Sequence, residues 1–148
     1  MNTKQPFNLF LSLPSYLLTV LCAALIPFSV QAAPVQYSAK TSTFTLVLSA
    51  PESVQLNKIY RWKAQLISHV KDVNLDQLTL TDLKIGGGMP AHGHGLPTQP
   101  IASNLNNSQK EQLLFDIEGL KFQMWGDWQI ELNLPKQDSI ITSFKLTP

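Results

Sequence analysis

Two of the chain's three histidines and one of its three methionines fall in one stretch, Gly86-Gly87-Gly88-Met89-Pro90-Ala91-His92-Gly93-His94-Gly95. Side chains at positions i and i+2 of an extended backbone point to the same side, so the imidazoles of His92 and His94 can reach one ion. The flanking glycines let the main chain come close to it. Imidazole and thioether are borderline and soft donors that suit copper, above all Cu(I), whereas magnesium and calcium select oxygen. The same residues also have an ordinary reading. Glycine and proline make tight turns, and a loop histidine commonly does no more than hydrogen-bond a backbone carbonyl.

The rest of the chain offers little chemistry. His69, followed by Val70-Lys71-Asp72, sits at an expected strand end with no other ligand type beside it and reads as a surface histidine. Asp127 reads as a turn carboxylate. Paired carboxylates at a useful spacing are missing, no G-x-S-x-G elbow occurs, and Gly86 to Gly88 match neither a phosphate loop nor a dinucleotide fingerprint. These features point away from an enzyme and from a small-molecule substrate. Asn106-Asn107-Ser108 has meaning as a glycan acceptor only in a eukaryotic secretory pathway.

The first 32 residues read as an export signal. Lys4 gives a weak positive start, Leu9 to Val30 is almost wholly apolar, and Val30-Gln31-Ala32 places small residues where a signal peptidase cuts. An uncleaved anchor in the inner membrane is the alternative, with Pro14 and Pro27 set against a regular spanning helix. Cys22 follows Leu21, not the small residue that lipoprotein processing requires. It is the only cysteine, so cleavage after Ala32 leaves no thiol for a disulfide or a zinc site. The 11 basic residues include Lys4, so residues 33–148 balance their charges against the 10 acidic ones and carry no footprint for nucleic acid or an anionic membrane. The expected location is periplasmic or secreted, with residues 33–148 as one domain.

A domain that presents such a loop needs rigid elements behind it, and the apolar period of two supplies them. Phe44, Leu46 and Leu48 alternate with polar or smaller residues, as do Tyr60, Trp62, Ala64 and Leu66. Leu78 with Leu80, then Leu83 with Ile85, suggest strands separated by a bend at Thr81-Asp82. Leu113, Phe115 and Ile117 follow a polar loop expected around Asn104 to Lys110. Gly119 shifts the phase to Leu120, Phe122 and Met124, which makes Met124 a core residue by alternation. Trp128, Ile130, Leu132 and Leu134 form one more strand, and Ile140, Phe144 and Leu146 the last. About seven strands at such spacing predict an all-β, antiparallel, immunoglobulin-like sandwich, with Trp62 and Trp128 at its centre.

The order Gly87-Gly88-Met89-Pro90-Ala91-His92-Gly93-His94-Gly95-Leu96-Pro97-Thr98, then Gly119-Leu120-Lys121-Phe122-Gln123-Met124 and Gly126-Asp127-Trp128, resembles the YtkA-like family, related to FixH-type proteins. The resemblance runs from about Tyr37 to Leu146. It implies an exported or membrane-anchored β-sandwich associated with copper handling and oxidase assembly. The family's methionine-proline-x-histidine-x-histidine element falls on Met89, Pro90, His92 and His94, and its second methionine on Met124. Trp125 stands where the family has proline, a departure that bears on how Met124 is presented; its ring face is available to shield a bound Cu(I).

The resulting expectation is an exported copper-binding domain with His92 and His94 as nitrogen ligands and Met89 and Met124 as thioether ligands. It would carry copper to a membrane or periplasmic acceptor protein. The alternative is a metal-free interaction module of the cell envelope in which the glycine-rich loop is structural.

Overall fold

The computed structural model describes residues 33–148, so the export signal expected over residues 1–32 lies outside the described residues. Nine strands follow one another: β1 (Val35–Lys40), β2 (Phe44–Ala50), β3 (Ile59–Ser68), β4 (Lys84–Met89), β5 (His94–Gly95), β6 (Ile101–Gln109), β7 (Gln112–Lys121), β8 (Gly126–Asn133) and β9 (Ile140–Leu146). Every pairing is antiparallel. The hydrogen-bonded order is β1-β2-β3-β7-β6-β4-β8-β9, with β5 added to β4.

Between β6 and β4 the ladder narrows to the single pair Lys84 with Ile101. The path therefore divides there into one layer of β1-β2-β3-β7-β6 and another of β5-β4-β8-β9, and β1 lies along β9 at the opposite margin. The result is a nearly closed, sandwich-like all-β fold. Among the described residues no helix is long and apolar enough to cross a membrane.

Alternation works as expected in the strands that face the core on one side. Phe44, Leu46, Leu48, Trp62, Ala64, Leu66, Leu113, Phe115, Ile117, Trp128, Ile130 and Leu132 are all buried. Trp62 sits among the rings of Tyr37, Phe122 and Phe144 at centroid distances of 6.0, 5.5 and 5.3 Å, and Phe122 meets Trp128 edge-on at 5.1 Å. This aromatic group links β1, β3, β8 and β9 with the segment that follows β7, so it ties both layers together.

Three segments depart from the sequence expectation. Val35–Lys40, outside the strands expected from the sequence, is the edge strand β1, and the polar stretch around Asn104 belongs to β6. Pairing to β2 and β7 holds both extended, although β6 slips register twice and Asn104 adopts a φ of 50°. Conversely, Leu78 and Leu80 are not on a strand. Short 3-10 turns occupy Leu75–Gln77 and Leu80–Asp82, the second held by the Thr79 amide and hydroxyl, which both donate to Asp82 Oδ2 at 2.8 and 2.7 Å. Those bonds hold the Asp82 carboxyl below its ordinary range, the hydroxyl's contribution first. The phase shift at Gly119 is a bulge: its φ is 87°, and β7 passes through it while Leu120 and Glu118 pair with successive residues of β3.

Candidate metal centre

The histidine loop is a hairpin built on β4. Gly88 pairs with Gly95 and Met89 with His94, while Pro90–His92 makes one 3-10 turn. Proline at the first position of that turn fixes φ and needs no amide partner. Gly93 closes the turn at a φ of 63°, where a side chain is disfavoured, and its N–H donates to the Pro90 carbonyl at 3.2 Å. The Leu96 N–H then donates to the Gly87 carbonyl at 3.1 Å.

On its other side β4 pairs with β8, setting Gly86 opposite Glu131, Gly87 opposite Ile130 and Gly88 opposite Gln129. A Cβ on Gly87 would overlap the Gln129 carbonyl oxygen, and one on Gly88 would overlap the His94 carbonyl oxygen. Two glycines of the triplet are therefore demanded by backbone packing alone.

His92 and His94 are both exposed, with ring centroids 6.4 Å apart and planes 16° from parallel. An ion shared by the two would be bound by in-plane ring nitrogens at about 2.0 Å each, which matches this separation only when those nitrogens face one another. Neither imidazole has a hydrogen-bond partner among the described residues. The ordinary work of a loop histidine, tying down a carbonyl, is thus not what these two do.

The two methionines exchange the places expected of them. Met89, a thioether ligand of the glycine-rich loop in the sequence expectation, ends β4 and is 1 % exposed, its terminal methyl 2.8 Å from where a Cβ on Gly126 would lie. Its pairing geometry turns the side chain into the core, so it roots the hairpin. Met124 was expected in the core by alternation with Phe122; it is 36 % exposed, because β7 ends at Lys121 and the chain bends through Met124 and Trp125. Trp128 Nε1 donates to the Met124 carbonyl at 3.0 Å and fixes that bend.

Since β4 and β8 are antiparallel, the end of β4 lies beside the start of β8, and the Pro90–His92 turn packs against β8. Exposed Met124 and Trp125, just before β8, therefore share one end of the sandwich with the histidine hairpin. Among the described residues no group of three or more histidine, cysteine, aspartate or glutamate side chains is gathered for a metal. What this end of the molecule offers is two exposed imidazoles, with buried Met89 paired opposite His94 and exposed Met124 just before β8. Two nitrogens fall short of the four ligands of a structural zinc site.

The other histidine is elsewhere: exposed His69 meets Thr45 Oγ1 through Nε2 at 2.7 Å, as a surface residue would. Asp127 is exposed opposite Lys145. One nearby residue escaped the sequence reading, Glu131, which only the β4–β8 register brings beside Gly86. Compared with protein-family models, curated proteins and solved structures, the chain matches none.

Proposed function

We propose that this is an exported copper-binding domain, not an enzyme, that holds Cu(I) at His92 and His94 and passes it to a membrane or periplasmic acceptor. The observation that supports this reading most is the pair of exposed, unpartnered imidazoles 6.4 Å apart on a hairpin braced by β8. Met124 is the thioether available to complete the set, and Met89 serves from below by anchoring the hairpin. The loop resemblance to YtkA-like and FixH-type proteins points in the same direction. An exposed, thiol-free site suits transfer, since a partner's ligands can replace the imidazoles one at a time.

Metal analysis of the exported protein, purified without an affinity tag, tests the reading. Near-stoichiometric copper that falls to background in the His92→Ala/His94→Ala variant is expected. Copper content unchanged by that double substitution would overturn it.

The metal-free interaction module stands as a second reading. It is favoured by the steric need for Gly87 and Gly88, which accounts for much of the loop's glycine without any ligand.

A further inference from the structure

Gly86 and Gly95 have no such steric reason. Neither has a positive φ, and a Cβ on either would meet its nearest atom only at 3.8 Å, an ordinary contact. Glycine in a strand weakens it, and one the fold does not require marks a place where something else comes close. Next to them on the outer face of β4, β5, β8 and β9 lies a hollow of about 300 Å³, lined by Gly88, Gly95, Gln129, Glu131 and Ile141 together with Pro90 and His94 of the histidine hairpin.

Its walls are mismatched in a way that specifies an occupant. Ile141 is 47 % exposed and offers an apolar side. Glu131 is half-buried, and its cross-strand neighbours are Gly86 and Ile141, neither of which carries charge. Among the described residues its carboxylate makes no hydrogen bond or ion pair. The Gln129 amide beside it is turned to Ser143 Oγ at 3.2 Å. A carboxylate with no ion-pair partner beside an exposed apolar side chain is the complement of a long basic side chain brought by a partner.

We propose that this hollow receives a lysine or arginine side chain of a partner protein, its aliphatic stem lying along Ile141 and the bare glycine floor and its charged head on Glu131. Long basic side chains cover apolar surface with their stems in this way while the head stays polar. Such a contact would seat the partner directly beside the histidine hairpin. The hollow shares His94 with the proposed copper site, so the test is made on the metal-free protein, where its failure is distinguishable from failure of the copper reading.

The test is an NMR titration of the isotope-labelled, metal-free protein with N-acetyl-arginine amide and N-acetyl-lysine amide, using N-acetyl-norleucine amide as the uncharged control. Saturable shifts confined to the amides of Gly88, Gly95, Gln129 and Glu131 are expected for at least one of the basic probes, with norleucine at least tenfold weaker. Glu131→Gln should weaken the basic probe at least tenfold, and Gly95→Val should remove the shifts by filling the floor, each with the rest of the amide spectrum retained. No saturable shift with either basic probe, norleucine binding as tightly, or Glu131→Gln binding undiminished would overturn the proposal.

Discussion

At the scale of single residues, the hydroxyl of Thr142 is wholly buried on β9 with no hydrogen-bond partner among the described residues. A buried polar group left unsatisfied costs about 1–3 kcal/mol, and valine keeps the shape without the hydroxyl. Thr142→Val should therefore raise stability by about 1 kcal/mol in a denaturant titration; a loss of that size would show that the hydroxyl is satisfied. The methionines make a sharper pair. Alternation carried past Lys121 makes Met124 a core residue, but β7 has already ended there; Met89, in the glycine-rich stretch of the sequence, closes β4 and is buried. Periodicity does not announce where a strand stops, and that is decided by the pairing partner. With Met89 packed and Met124 accessible, Met89→Leu should cost under about 1.5 kcal/mol and leave Cu(I) affinity unchanged. Met124→Leu should leave stability unchanged and weaken Cu(I) binding, as read by competition with a Cu(I) chelator. The reverse pattern would make Met89 the ligand.

At the scale of elements, the β4–β5 hairpin carries its own test, because its glycines do different things. Gly88→Ala drives a methyl into the His94 carbonyl and forces the hairpin open, at an expected cost of at least about 2 kcal/mol. Gly86→Ala meets only ordinary contacts and should gain up to about 1 kcal/mol, the usual cost of glycine within a strand. Equal effects in thermal unfolding would contradict the register that sets the two apart. The strands with one apolar face were legible in the sequence, since each carries its own alternating signal. β1 and β6 were not: Val35–Lys40 is a half-exposed edge, and β6 is rich in asparagine and twice bulged, so tertiary pairing overrides weak local preference. The histidine pair was legible because both residues lie in one loop. Glu131 was not, because it joins that neighbourhood only through the β4–β8 ladder.

At the scale of the whole molecule, two layers are held by one aromatic core. The segment after β7 contributes Phe122, which touches both Trp62 and Trp128. Trp62→Ala or Trp128→Ala should each destabilise the domain by about 3–5 kcal/mol. A loss under about 1 kcal/mol at both sites would refute the shared core. The two imidazoles, in contrast, stand outside that core, so the site can be emptied of them while the fold stays intact. The central claim is that Cu(I) binds the folded molecule through His92 and His94. Its most direct test is the Cu(I)-linked shift in unfolding free energy, measured anaerobically with a Cu(I) buffer. At free metal 100 times the dissociation constant, wild-type protein should gain about 2.7 kcal/mol, and His92→Ala/His94→Ala should gain nothing while keeping its apo stability. An equal copper-linked gain in both proteins would contradict the account.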